Sequence, residues 1–198
     1  LKLTHRPPQF KLHSHTVQYS SGSGQQSVTG LDGKEKKENK GGYNKASPPP
    51  LFIFSSWCSS ECERGQPIQC DQTIRLRHVQ TNYHFHSNFD HRSPLSRSQE
   101  VSAFEGADDG YHWIVECHRG NESRPDAAAV TFWRRKASIR LRHKNTGHYL
   151  GARKEHVYQQ PTLGQIEVAG YPGGNNHKPV SGEYLLWMAQ EGVNLAEI

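Results

Sequence analysis

The sequence predicts an all-β protein, a β-trefoil, on three observations: one residue pattern recurs three times in order, each copy has room for four short strands, and apolar residues alternate with polar ones instead of forming long runs. The pattern opens as Leu1-Lys-Leu-Thr-His5, Ile74-Arg-Leu-Arg-His78 and Ile139-Arg-Leu-Arg-His143. This is the period of a half-buried strand, so Ile74, Leu76 and His78 share one face while Arg75 and Arg77 share the other.

The second element is anchored seven residues past each histidine, by Leu12, Phe85 and Leu150. The anchors open Leu12-His-Ser-His15, Phe85-His-Ser-Asn88 and Leu150-Gly-Ala-Arg153, so the third copy keeps the small residue and loses the histidine. For the third element, Gln26-Ser-Val28 matches Gln99-Glu-Val101, and Gln165-Ile-Glu-Val168 is the third version, one residue longer. An aromatic strand closes each copy: Trp113–Cys117 in the second, Leu185–Met188 in the third, and either Leu51–Phe54 or the Trp57 region in the first. Three such units, at residues 1–69, 70–133 and 134–192, describe one domain with pseudo-threefold symmetry. Closing them into a barrel covers strand edges that no single copy protects. A propeller needs at least about four blades.

Composition agrees. Of 198 residues, 33% are hydrophobic, and 18 Gly with 11 Pro speak for many turns. Mean hydropathy is −0.86. Apolar stretches are as short as Leu51–Phe54, too short to span a bilayer. Net charge is +5, but acids are scattered among the bases. The densest charge run, Gly33–Lys40, alternates in sign and reads as a solvated loop, not a nucleic-acid surface. The stretch 32–50, rich in Lys, Glu, Gly and Pro, is expected to be a disordered insertion, and Tyr171–Gly182 a smaller surface loop. The opening on Leu1–His5, inside a strand, is expected of a chain that follows a processed or trimmed leader.

Several long strings carry a resemblance to a known family: Leu12–His15, Gly22–Gly30, Cys62–Cys70 and Ser98–Phe104. Together they resemble the stromal cell-derived factor 2 family, small MIR-domain proteins of the endoplasmic reticulum, from Leu1 to about Trp187. The chain departs from the pattern in its 32–50 insertion, its divergent third repeat and the lack of a retrieval signal after Ile198. The resemblance implies three MIR-type repeats and favours Phe52 over Trp57 as the first closing aromatic. It also implies a non-enzymatic monomer in the lumen or secreted, partnered by an Hsp40-type co-chaperone and Hsp70 in protein quality control. A link to protein O-mannosylation makes a carbohydrate-binding module the alternative.

The repeat register also makes a covalent prediction. Cys70 precedes the first strand of the second copy and Cys117 ends its fourth, and those strands are antiparallel neighbours in a trefoil, so the two should be bonded. The same register puts the partner of Cys62 upstream of Leu1, which leaves Cys62 free or paired with Cys58. Asn121-Glu-Ser123 is a glycosylation sequon, meaningful in the secretory pathway.

Thirteen histidines raise the question of metal. His13 and His15, and likewise His84 and His86, would share a strand face, but the repeats set the pairs far apart around the barrel, and the third copy has none. No metal or cofactor is therefore expected; His13 and His86 are expected to bond to local turn backbone, with His5, His78 and His143 capping strand ends. No catalytic residues are expected either. Ser14 and Ser87 neighbour histidines in sequence and so point to opposite strand faces, no Asp accompanies them, and Gly22-Ser-Gly24 lacks the rest of a phosphate loop. What remains is a shallow pocket per repeat for a peptide or sugar, built from His13, His15, Gln26, Phe85, His86, Gln99 and Phe104. The Gln-x-Trp of ricin-type lectins is missing.

Overall fold

A computed structural model describes residues 2–6, 10–32, 52–56, 67–106, 108–117, 132–134, 136–159, 162, 164–173 and 182–190. Twelve strands lie among them, four to each copy of the sequence pattern. The first copy supplies β1 (Lys2–His5), β2 (Phe10–Gln18), β3 (Gln26–Asp32) and β4 (Phe52–Ser56). The second supplies β5 (Thr73–His78), β6 (His84–Arg92), β7 (Gln99–Phe104) and β8 (Trp113–Cys117). The third supplies β9 (Ser138–His143), β10 (Tyr149–Val157), β11 (Ile166–Tyr171) and β12 (Trp187–Gln190).

Each first strand pairs with the closing strand of the preceding copy. Phe52 lies opposite His78, Trp113 opposite His143 and Trp187 opposite His5. In the second and third copies the first and fourth strands also pair, through Ile74 with Trp113 and Ile139 with Trp187. These strands make the barrel wall. The hairpins β2–β3, β6–β7 and β10–β11 form the cap, and their inner strands β3, β7 and β11 pair with one another in all three combinations. This is the β-trefoil that the sequence predicts, and the place of β4 confirms Phe52, not Trp57, at the first closing position.

Alternation decides the core. In β5 and β9 the residues Ile74, Leu76, Ile139 and Leu141 are fully buried, while the arginines between them face outward. Three layers repeat around the pseudo-threefold axis: Leu3, Leu76 and Leu141; Leu12, Phe85 and Leu150; Val28, Val101 and Val168. Trp113 and Trp187 fill the space between them, each indole N–H donating to an anchor carbonyl, Phe85 at 3.4 Å and Leu150 at 2.9 Å. A buried indole keeps its large apolar area out of water only if that N–H is satisfied. Cys70 and Cys117 are bonded, with Cα atoms 5.5 Å apart, as the register predicts. Cys58, Cys62, Asn121, residues 33–50 of the expected insertion and residues 174–181 of the second loop lie outside the described residues.

Candidate binding clefts between the repeats

Small polar residues link successive copies. Gln99 Nε2 donates to Ser87 Oγ at 2.6 Å and to Thr146 Oγ1 at 2.9 Å. Thr146 Oγ1 is 2.9 Å from His143 Nδ1, and His143 Nε2 is 2.9 Å from the carbonyl of Gly110. Burial pushes the imidazole of His143 down to about 4, so the ring is neutral near pH 7. A carbonyl only accepts, so Nε2 carries the proton and Nδ1 accepts from Thr146. The relay therefore runs in one direction, from Gln99 through Thr146 and His143 to Gly110.

The junction before it repeats the first part: Gln26 Nε2 donates to Ser14 Oγ at 2.6 Å and Thr81 Oγ1 at 3.2 Å, and Thr81 contacts His78 Nδ1 at 2.9 Å. The third copy abandons it. Ser14, Ser87 and Ala152 face Val28, Val101 and Val168 in register, so Ile166 takes the place of Gln26 and Gln99. The expected match at Gln165 is off by one residue because the turn between Val157 and Ile166 is longer than that between Arg92 and Gln99. Gln165 instead accepts from Thr29 Oγ1. Serine and glutamine thus change together to alanine and isoleucine, which leaves no donor orphaned.

A second paired exchange shapes the surface. His86 Nε2 lies 3.0 Å from Asp108 Oδ2, and Asp108 Oδ1 accepts from Gly110 N at 2.7 Å, capping a short 3-10 turn at Asp109–Tyr111. A Cβ on Gly110 would come within 2.5 Å of His86 Nε2, so the glycine makes room for the imidazole. In the third copy Gly151 stands where His86 does and Tyr184 where Gly110 does. There the guanidinium of Arg153 stacks 4.1 Å from the Tyr184 ring and 5.1 Å from the Tyr171 ring.

Two clefts open between copies. One, of about 570 Å³, lies between the first and second, lined by Thr16, Gln18, Gln25, Gln26, Thr81, Tyr83, Phe104 and Glu105. The other, of about 340 Å³, lies between the second and third, lined by His86, Asn88, Phe89, Asp90, Asp108, Asp109, Asn145 and Thr146. Gln26 and Phe104 therefore reach the first, and His86 the second, while Gln99 sits buried behind Ser87 and Thr146 of the second. Phe85 does not belong to a pocket: it is fully buried in the core. His13 is buried, and His15 lies on β2 with its side chain outside the described residues. The local turn bond expected of His86 is replaced by the carboxylate of Asp108, 22 residues away. His5 and His143 end their strands as expected, and both pack against closing indoles, at 5.0 Å from Trp187 and 4.9 Å from Trp113.

Sequence reading overlooked Thr81, Thr146 and Asp108. A His-x-x-Thr signal was present in two copies, His78–Thr81 and His143–Thr146, but the first copy has Pro8 at that position. The hydroxyls of Ser14 and Ser87 donate to the carbonyls of Ser27 and Glu100, so neither is paired with a base. Among the described residues no group of three or more His, Cys, Asp or Glu side chains is placed to hold a metal ion.

With this geometry in view, the relatives are informative. Human stromal cell-derived factor 2-like protein 1 is 36% identical over 197 residues, spanning 98% of this chain and 75% of the relative. The chain belongs to the stromal cell-derived factor 2 family. The crystal structure of the family's Arabidopsis thaliana SDF2-like protein is similar with a TM-score of 0.76 at 31% identity, over 97% of this chain and 92% of that one. The same fold occurs in the Saccharomyces cerevisiae protein O-mannosyltransferase Pmt1–Pmt2 complex, with a TM-score of 0.72 at 24% identity over 94% of this chain and 24% of that one. No model of a known protein family matches the sequence. Among the described residues no helix is long and apolar enough to cross a membrane.

Proposed function

We propose that this chain is a non-enzymatic binding protein of the endoplasmic-reticulum lumen, a subunit of an Hsp40/Hsp70 chaperone complex in protein quality control. The observation that carries the proposal is membership of the stromal cell-derived factor 2 family along 98% of the chain. The Cys70–Cys117 bond supports the compartment, since structural disulfides persist where the medium is oxidising. Affinity purification of the tagged chain from native secretory membranes is expected to recover an Hsp40-type co-chaperone with its Hsp70. Recovery of only glycoproteins released by free mannose would refute it.

The second reading is glycan binding, favoured by the cleft between the second and third copies. There Asp90, Asp108, Asp109 and Asn145 surround Phe89, which is 62% exposed. Carboxylates and an amide around an aromatic face suit hydroxyl groups on an apolar sugar face. A glycan array without signal above background disposes of this reading.

A further inference from the structure

The internal symmetry of the barrel wall exposes a missing partner. In the β8–β9 pair Glu116 stands opposite Arg140. Its carboxylate accepts from Arg142 Nε at 2.6 Å and Tyr149 Oη at 3.2 Å and lies 3.8 Å from Arg140 Nε. The β4–β5 pair has the same register one copy earlier, with Ser55 opposite Arg75 as Glu116 is opposite Arg140. Arg75 and Arg77 take the places of Arg140 and Arg142, but a serine stands where the carboxylate should be.

Nothing else among the described residues supplies it. Arg75 donates from Nε and Nη2 to His112 Nε2, at 3.3 and 3.2 Å, so its partner is a neutral ring nitrogen. Arg77 faces His84 across the β5–β6 pair. Burial and then the charges of Arg77 and Arg75 lower the pKa of His84, and burial and then Arg75 lower that of His112. Both rings are therefore held uncharged beside guanidinium groups that no acid among the described residues neutralises. Both arginines are only half-buried, so the pair is reachable from outside.

We infer that Arg75 and Arg77 are a docking site for a carboxylate of a partner protein, a glutamate or aspartate from an acidic segment seated beside Ser55 as Glu116 is seated in the neighbouring copy. The inference rests on the reading that the partner is a protein. The same chain shows what two such arginines hold: a carboxylate, in charge-assisted bonds roughly twice as strong as neutral ones.

The test uses the purified full chain, the arginine Nε–H resonances and an acetylated hexaglutamate amide at low salt. The signals of Arg75 and Arg77 are expected to shift saturably while those of Arg140 and Arg142 stay put. Ser55→Glu supplies the missing carboxylate internally, so it should weaken peptide binding by about tenfold or more with the fold intact by near-ultraviolet dichroism. Glu116→Ser should open a second site. Unmoved Arg75 and Arg77 signals, equal binding in Ser55→Glu, or equal displacement by inorganic phosphate would each overturn the assignment. Equal capture of a chaperone partner by wild type and Ser55→Glu would sink the site and spare the proposed function. Capture of nothing by either would sink the function, and the titration would still decide the site.

Discussion

Both ring nitrogens of His143 are committed, one accepting from Thr146 and the other donating to Gly110, and the bond that Nδ1 accepts needs the neutral ring. Its folded pKa of about 4 lies below the ordinary histidine value, so the unfolded chain takes up the proton first as pH falls. The stability contributed is complete above about pH 6.5 and is lost as pH drops toward about 4. Between pH 7 and pH 4.5 this single group should cost about 2.5 kcal/mol. Urea unfolding at the two pH values is the measurement, with His143→Gln expected to flatten the difference. His84 and His112 are lowered too, so a residual slope of the same sign should survive. An unchanged slope in the variant would rule out the relay as the origin of the acid sensitivity.

At the scale of the strand, the Cys70–Cys117 bond ties the entry of the second copy to its exit across 47 residues. Replacing both by serine removes the constraint on the unfolded chain and should lower stability by roughly 2–4 kcal/mol. Thermal unfolding with and without reductant checks this, since reductant should reproduce the double variant and leave that variant itself unmoved. First strands, anchors and closing aromatics were legible because strand period is local: the alternation of Ile74-Arg-Leu-Arg-His78 states which side faces inward. Ile166 was not legible in place of Gln165, because the longer turn of the third hairpin leaves a glutamine one residue outside the strand, where it mimics the motif. Nor was Phe85 separable from the pocket residues beside it, since burial depends on Trp113, which comes from β8. The pairing of His86 with Asp108 joins residues that no sequence period relates.

Across the whole molecule, the three copies are interlocked, not stacked side by side. The last strand pairs with the first, Leu3 opposite Ala189 and His5 opposite Trp187, and the interior indole of Trp187 belongs to that final strand. Deleting residues 183–190 should therefore abolish the cooperative transition, not merely lower it, because losing Trp187 alone is worth about 3–5 kcal/mol and β1 and β9 lose a neighbour as well. A sharp unfolding transition in that truncated chain would contradict an interlocked barrel. Seen as a process in time, the same closure fixes a schedule. A ribosome adding about 5–20 residues per second makes β1 wait on the order of ten seconds or more for β12. Throughout that interval β1 has only β2 beside it, and its other edge, with Leu3 between, stays open, so a protein proposed to serve folding helpers presents to them, during its own synthesis, the kind of unpaired edge they cover.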